Sequence, residues 1–318
     1  MLSRKEGEKL SRLILSVLAI SFSLEATEPI SPLPQSIEYD HAKAALGKKL
    51  FHDPILSSDG TIACVSCHLL ESGGDDGMKF SIGIKGREGN VNSPTVLNSY
   101  FNFRQFWDGR AKDLEEQAAG PIENPVEMGH SIEKAVEKLK AHNAYPQIFT
   151  QLYPDGVTAI NILNAIAEFE KALITPNAPF DRYLRGDENA ISKEAKKGYQ
   201  LFKTKGCILC HSGINIGGNL YNKFGIYKKS NSAHLGRYHI TKREEDKYVF
   251  KVPSLRNVAL TAPYMHDGRA ETLKQAVIIM SQFQLGRYME PEEIEAIVAF
   301  LESLTGEVPK ILGPADEQ

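Results

Sequence analysis

The sequence predicts a mainly α-helical protein made of two tandem domains, with few or no β-strands. Its 318 residues are a comfortable length for two domains, and its 42% hydrophobic content can form a core in each half. Apolar residues recur at helical spacing over several segments, whereas strand-like alternation is scarce. Motifs of the first half also recur in the second half, which predicts two copies of one module.

The repeated motifs occur in the same order in both halves. The pairs are GKKLF at 47–51 and GYQLF at 198–202, CVSCH at 64–68 and CILCH at 207–211, SPTVLN at 93–98 and PSLRN at 253–257, and WDGRA at 107–111 and HDGRA at 266–270. The single tryptophan of the chain, Trp107, stands where the second copy has His266. The sequence therefore indicates a duplicated unit whose copies differ at that position.

Two segments carry the clearest helical pattern. Residues 158–174 place apolar side chains on one face after Thr158, a suitable N-cap, and residues 291–305 repeat this pattern from an initial proline. Ser192 is expected to begin the helix that leads to the second C-x-x-C-H motif. Residues 176–190, PNAPFDRYLRGDENA, have the proline and charge content of a linker or surface crossing.

The N-terminal residues are typical of a secretory signal peptide. Basic residues precede the apolar run at 13–24, and Glu25 and Ala26 follow as a cleavage point, so residues 1–26 are excluded from the fold. The run is short for a transmembrane helix, although an uncleaved anchor is the alternative. The net charge of −3 gives no indication of nucleic-acid binding.

The four cysteines are the strongest chemical signal in the chain. In an exported protein they first suggest two disulfides. All four, however, lie in C-x-x-C-H pentapeptides, the signature for covalent c-type haem attachment, and a zinc site would need its ligands in one neighbourhood. The sequence therefore predicts two haem c groups, attached and ligated by Cys64, Cys67 and His68 in the first module and by Cys207, Cys210 and His211 in the second.

These motifs together resemble those of the bacterial dihaem cytochrome c peroxidases. Besides the two haem motifs, they are FWDGRA after the first, NPVEM at 124–128, PYMHDG at 263–268, and a methionine fourteen residues beyond His266. The likeness extends over nearly all of the chain after the signal peptide. Several of these motifs are specific to the family.

The resemblance implies a division of labour between two cytochrome c-like haem domains. Residues 27–176 would form a peroxidatic domain, and residues 177–318 an electron-transfer domain whose last residues could pack back on the first. Such a cytochrome-c peroxidase is expected to be a periplasmic homodimer that reduces hydrogen peroxide to water with electrons from a small soluble cytochrome c or a cupredoxin. A dihaem cytochrome that only transfers electrons is the alternative, with strong ligands on both irons.

Met280 is the expected sixth ligand of the second haem. It shares a helical face with Leu273 and Val277, so by spacing alone it could be a core methionine. The resemblance implies ligation, and a methionine opposite a histidine raises the haem potential, which suits an electron-accepting site. Related enzymes that mature a tryptophan-derived cofactor carry a tyrosine at this place.

The resemblance assigns the remaining haem-site roles to four residues. Glu127 matches the catalytic acid/base of the family and Gln117 a supporting pocket residue, although a lone glutamate is more often a surface carboxylate. Trp107 matches an aromatic residue between the haems, a role compatible with core packing. His266, its counterpart, is expected near the second haem, the alternative being an ordinary buried histidine.

A calcium ion between the domains is also implied by the resemblance. Its ligands would be the side chain of Asn92 and the backbone carbonyls of Thr261 and Pro263, oxygen donors of the kind that calcium prefers. An ordinary asparagine turn is the alternative for Asn92. The sequence itself carries little trace of backbone ligands.

One position departs from the family pattern. Many members carry, in the loop after the first haem motif, a histidine that caps the iron of the oxidised enzyme, and this slot is occupied by Ile84, sixteen residues after His68. Isoleucine cannot ligate iron, so we expect an open, high-spin first haem in the oxidised protein. Met78, Lys85 and His130 are the alternative ligands.

Overall fold

The computed structural model describes residues 28–313 and confirms a mainly α-helical fold. Within this range the strands form one two-stranded antiparallel sheet, in which Tyr221 pairs with Lys251. No helix of the described range is long and apolar enough to cross a membrane. The signal peptide predicted for residues 1–26 lies outside the described residues.

The helices and strands follow one another along the chain in two similar sets. The α-helices are α1 (His41–His52), α2 (Leu114–Glu123), α3 (Ile132–Lys140), α4 (Tyr145–Leu152), α5 (Ala159–Lys171), α6 (Pro179–Leu184), α7 (Lys193–Lys205), α8 (Tyr238–Thr241), α9 (Leu273–Phe283) and α10 (Pro291–Glu302). The strands are β1 (Tyr221–Lys223) and β2 (Val249–Lys251). Short 3₁₀ helices cover Pro54–Leu56, Cys64–Ser66, Leu70–Ser72, Ile84–Gly86, Ser99–Phe101, Cys207–Leu209, Glu244–Asp246, Val258–Leu260 and Lys310–Leu312.

The predicted helix starts are confirmed by their caps. The Thr158 hydroxyl accepts the amide hydrogen of Asn161 at the start of α5, and the Ser192 hydroxyl accepts that of Ala195 at the start of α7. These bonds satisfy donors that the first helical turn leaves free. Both helices end earlier than predicted: α5 ends at Lys171 rather than at 174, and α10 ends at Glu302 rather than at 305.

A pair of crossed helices forms the centre of each module, and each pair meets at a glycine. A Cβ atom on Gly47 of α1 would lie 1.9 Å from the carbonyl oxygen of Ala165 in α5, and one on Gly198 of α7 would lie 1.8 Å from that of Ala296 in α10. Only glycine permits such an approach of two backbones. The repeated motifs GKKLF and GYQLF thus encode the same helix crossing twice.

The segment at 176–190 is not a simple linker, so that prediction was wrong in part. It contains α6, in which Phe180 is fully buried in the second core. Asp181 is also fully buried, and its carboxylate accepts a hydrogen bond of 2.6 Å from the equally buried Arg256. The charges suggested a surface segment because the sequence does not reveal that Arg256 compensates Asp181.

The two ends of the described chain are exchanged between the modules. Ile30 precedes the first module but packs in the core of the second, where the Gly213 amide also donates to the Pro29 carbonyl at 2.8 Å. Ile311 follows the second module but packs in the core of the first, and its carbonyl accepts a hydrogen bond of 2.6 Å from Lys48. Each core therefore includes a side chain from the far end of the chain.

Candidate functional site

The duplicated D-G-R turns meet where the two modules join. Two residues before each D-G-R sequence the backbone is left-handed, at Phe106 (φ 68°) and Met265 (φ 73°), and each aspartate pairs with the arginine two residues later. The side chains that differ between the copies, Trp107 and His266, face each other with ring centroids 6.2 Å apart in an edge-to-face arrangement. The turns therefore bring Trp107 and His266, the residues at which WDGRA and HDGRA differ, to the module interface.

A cavity of about 380 Å³ lies in the first module against the first C-x-x-C-H motif. The Nδ1 atom of His68 lies 3.1 Å from the Gly74 carbonyl, so Nδ1 is the protonated nitrogen and Nε2 remains available as a ligand. Three buried polar atoms on the walls lack a hydrogen-bond partner among the described residues: Ser81 Oγ, Ser99 Oγ and Glu170 Oε2. The predicted site residues along this cavity are Cys64, Cys67, His68, Trp107, Gln117 and Glu127.

A second cavity, of about 240 Å³, lies against the second C-x-x-C-H motif. His211 is buried, its Nδ1 is 3.4 Å from the Ile216 carbonyl, and burial lowers its pKa to about 4, so the ring is neutral as a metal ligand requires. Met280, on α9, lines the same cavity. The other predicted site residues here are Trp107, Cys207, Cys210 and His266.

The four cysteines line the two cavities, two in each. Burial raises the pKa of Cys64 to about 12 and the pKa values of Cys67 and Cys207 to about 11, so these thiols are protonated near neutral pH. All four cysteines are unpaired in this structure. Over residues 28–313, no group of three or more His, Cys, Asp or Glu side chains is placed to hold a metal ion. The donor set in each cavity fits a covalent haem.

Glu127 lies at the first cavity in the loop that follows α2. The Asn124 side-chain amide donates a hydrogen bond of 2.5 Å to Oε1 of Glu127, which fixes the carboxyl group. Burial raises the pKa of Glu127, and this effect outweighs the hydrogen bond from Asn124 and the charge of Arg110, both of which lower it. Gln117, on α2, lines the same cavity, so the structure places both predicted residues along it.

Trp107 lines both cavities and therefore lies between the two haem sites. Its indole N–H donates to the Asn92 carbonyl at 2.8 Å, which fixes the ring. His266 lines the second cavity, stacks on Phe250 with centroids 4.1 Å apart, and lies with Nε2 2.7 Å from the Ser232 hydroxyl. Burial lowers the pKa of His266 to about 4, so the ring is neutral.

The three residues predicted to bind calcium all line the second cavity. Asn92 is buried, and its side-chain N–H donates to the Met78 carbonyl at 2.9 Å, which leaves the side-chain oxygen as the end available to a cation. Thr261 and Pro263 line the same cavity. Amide and carbonyl oxygens are suitable calcium ligands, although no carboxylate accompanies them in this cavity.

Ile84 is packed against the loop that carries Glu127. It is 3% exposed, and its amide donates to the Glu127 carbonyl at 2.9 Å. The preceding Gly83 also lies close to the loop that carries Glu127, because a Cβ atom on Gly83 would lie 2.0 Å from the Val126 carbonyl oxygen. The alternative iron ligands were Met78, Lys85 and His130, and none of these three lines the first cavity.

Three residues at the cavities were missed by the sequence analysis. Glu170 is 4% exposed in the first cavity, and burial raises its pKa to about 8. A signal existed, since it falls on the apolar face of α5 beside Ile166. His234 belongs to the second half yet lines the first cavity, and Lys251 lies buried at the second. Nothing local in the sequence marks either of these two.

Comparison with known proteins shows the family. The di-haem cytochrome c peroxidase family matches residues 41–189, and the cytochrome c family matches residues 195–305. A cytochrome c551 peroxidase of Nitrosomonas europaea is 48% identical over 289 residues, which cover 90% of this chain and 86% of that protein. The chain belongs to the di-haem cytochrome c peroxidase family. The prediction of an enzyme of this class is confirmed, and the two matched modules imply two haem c groups.

Two further similarities bear on this dihaem peroxidase. The cytochrome c peroxidase Ccp of Escherichia coli is 50% identical over 285 residues, which cover 88% of this chain but 61% of that protein. A crystal structure of a MauG-like protein associated with microbial copper homeostasis superposes with a TM-score of 0.77 at 26% identity, covering 94% of this chain and 99% of that one. The predicted tandem arrangement of two haem modules is therefore confirmed.

Proposed function

We propose that the protein reduces hydrogen peroxide to water at the first haem, with electrons that arrive one at a time through the second. The balanced reaction consumes peroxide, two protons and two electrons and yields two water molecules. The observation that carries the proposal is the difference between the cavities. Glu127 and Gln117 lie along the first, whereas among the described residues the lining of the second contains Met280 and no aspartate or glutamate.

The first haem iron would supply the position at which peroxide binds. The Glu127 carboxylate is suited to accept a proton from the inner peroxide oxygen and to return it to the outer oxygen as the O–O bond breaks. Its raised pKa keeps both protonation states accessible closer to neutral pH than an exposed glutamate would allow. Gln117 offers an amide hydrogen to the same cavity, and Asn124 holds the carboxyl group in place.

The second haem would receive electrons and pass them toward the first. Met280 and His211 would be its iron ligands, a pair that raises the haem potential. Trp107 would assist passage between the haems, since its ring lines both cavities and is fixed by the bond to Asn92. His266 contacts the Trp107 ring edge to face and would hold that ring in position from the side of the second haem.

We further propose that the electron donor, a small periplasmic cytochrome c or cupredoxin, docks beside the second haem motif. Leu209 lies between Cys207 and Cys210 and is 76% exposed, so it offers an apolar contact next to the haem attachment point. Leu209→Glu should raise the KM for the donor several-fold and leave kcat with a small chemical reductant unchanged. Ile160→Glu, at a 74% exposed position of the first module, is the control. Equal donor kinetics in both variants would reject this surface.

A calcium ion, a homodimer and a periplasmic location complete the proposal. The calcium ligands would be the Asn92 side-chain oxygen and the carbonyls of Thr261 and Pro263, three residues that line the second cavity. Treatment with a calcium chelator should lower the unfolding temperature, and added calcium should restore it. Sedimentation of the haem-loaded protein tests the dimer, and fractionation of its native host tests the location.

A peroxidase assay with a reduced small cytochrome c tests the central proposal. Catalysed oxidation of the cytochrome by peroxide is expected, at a rate far above that of free haem. A rate equal to that of free haem, together with strong ligands on both irons, would instead support the electron-transfer cytochrome. The spin state of each haem in the oxidised protein, measured by electron paramagnetic resonance, reports those ligands directly.

A further inference from the structure

Lys251 is a buried cation at the second cavity. It lies on β2, is 7% exposed and lines the cavity that contains His211 and Met280. No hydrogen bond or ion pair joins its ammonium group to another described residue. A buried lysine without an acidic partner is unusual, because transfer of the charge out of water is costly unless an anion accompanies it.

The surroundings offer no carboxylate to Lys251. Asp108, in the turn next to β2, is already paired with Arg110 at 3.1 Å. The side chain that faces Lys251 across the sheet register is Tyr221, a neutral phenol. The titratable groups that line the cavity with Lys251 are Cys207, Cys210, His211, Lys223, Tyr264 and His266, none of them a carboxylic acid.

The backbone on either side holds Lys251 in place. Its amide donates to the Trp107 carbonyl at 2.8 Å, and its strand pairs with β1. The Val252 amide donates to the Leu220 carbonyl at 3.0 Å, which fixes the next residue. The ammonium group is therefore presented by a rigid segment at the interface of the two modules.

A haem in this cavity would bring the missing anions, because every haem c carries two propionate carboxylates. We propose that the Lys251 ammonium group pairs with a propionate of the second haem and keeps that propionate ionised inside the protein. The pair joins an anion and a cation that would each be buried without a partner, and removal of one member then leaves the other uncompensated. Burial alone lowers the pKa of Lys251 to about 8, and the propionate would favour its charged form. The inference requires a haem in the second cavity and does not depend on which haem binds peroxide.

The test is the midpoint potential of the second haem as a function of pH, measured by spectroelectrochemistry on the haem-loaded protein. In Lys251→Met the propionate loses its partner, and burial raises its pKa toward the measurable range. Its ionisation with rising pH then favours the ferric state, so the ferric-to-ferrous ratio at fixed applied potential should rise several-fold across that range. Protein with the native lysine and Lys251→Arg should show no such rise.

The controls separate this role from a general effect on the cavity. Lys223→Met removes an exposed cation that lines the same cavity, and solvent screening predicts an unchanged potential and pH profile. Lys251→Gln serves if the methionine variant does not fold, because glutamine is polar but carries no charge. It should show the same new pH dependence.

Two outcomes would overturn the proposal. One is a Lys251→Met or Lys251→Gln protein with both haems attached and a second-haem potential that matches the native potential at every pH. The other is loss of the low-spin spectrum of the second haem in these variants, which would make Lys251 an iron ligand. Both readouts are independent of peroxide turnover, so they leave the proposed activity to its own assay.

Discussion

Among single residues, Glu127 differs from the exposed Glu123 at the end of α2, because Glu127 is partly buried and accepts a hydrogen bond from Asn124. Glu127→Gln removes the proton-accepting group but preserves size, so peroxide turnover should fall by about 10²–10⁴-fold with haem content unchanged. Glu123→Gln, at an exposed position four residues earlier, is the matched control. Steady-state oxidation of a reduced cytochrome measures both variants, and near-native turnover in Glu127→Gln would remove it from the mechanism.

The same carboxyl group predicts a pH dependence. Glu127 must be ionised to accept the first proton, and burial raises its pKa. Activity should therefore fall as the pH decreases through this raised pKa, at a pH above the usual range of a glutamate. The fall should be absent from the residual activity of Glu127→Gln. An acid limb that persists in that variant would assign it to another group.

Met280 and Met289 give a matched pair at the second cavity, since both line it. If Met280 ligates the second haem as proposed, Met280→Leu removes that ligand, so the second-haem potential should fall and donor oxidation should stop. Met289→Leu should leave both unchanged. The measurements are the midpoint potential and the optical spectrum, and an unaltered spectrum in Met280→Leu would show that another group ligates this iron.

Individual site residues are predictable from the sequence where chemistry fixes their spacing, and less so where it does not. The haem motifs carry their own signature, and the structure gathers each set around one cavity. Glu170 and Lys251 were missed because their significance lies in burial without a partner, which depends on the whole fold. Asp181 was taken for a surface residue because its burial and its pairing with Arg256 also depend on the whole fold.

Among the elements, the loop that contains Ile84 packs against the loop that contains Glu127. The Ile84 amide donates to the Glu127 carbonyl, and the Gly83 backbone lies close to the Val126 carbonyl. Since no alternative ligand from this loop lines the first cavity, the oxidised first haem should be five-coordinate or water-bound and high-spin. Peroxide should then bind without prior reduction of the second haem. Electron paramagnetic resonance of the oxidised protein and stopped-flow mixing with peroxide check these two expectations.

Substitutions of the alternative ligands serve as the control for this expectation. The variants Met78→Ala, Lys85→Ala and His130→Ala should retain the spin state of the native first haem. A low-spin oxidised haem that becomes high-spin in one of them would identify that residue as the ligand. A low-spin state that persists in all three would also contradict the open site.

The elements themselves were largely predictable, because caps and apolar spacing are local. Thr158 and Ser192 begin their helices as their side chains suggested. The duplication also predicted that equivalent elements would repeat, and the crossings at Gly47 and Gly198 are nearly identical. The small β-sheet was not foreseen, since three-residue strands are too short for a recognisable alternation.

At the scale of the whole molecule, the exchanged ends place Ile30 in the second core and Ile311 in the first. Ile30→Ala should destabilise the second module, and Ile311→Ala the first, each by about 2–5 kcal/mol. Thermal unfolding followed through the absorption of each haem separates the two effects. Ile160→Ala, at an exposed position, should change neither transition.

The opposite result would be that Ile30→Ala destabilises the first module and Ile311→Ala the second. Each residue would then stabilise the module next to it in the sequence rather than the core in which it packs. If Ile30→Ala lowered only the stability of the first module, the packing of Ile30 in the second core would not contribute to the stability of the second module. Equal destabilisation of both modules would instead show that they unfold as one cooperative unit.

The exchange also sets an order for the maturation of the two cores. A polypeptide is made from its N-terminal end, so Ile30 is present before any part of the second core, whereas Ile311 is added after every other residue of the first. The first core therefore lacks one buried side chain until Ile311 has been added, whereas the second core closes around a segment that was made before all its other residues.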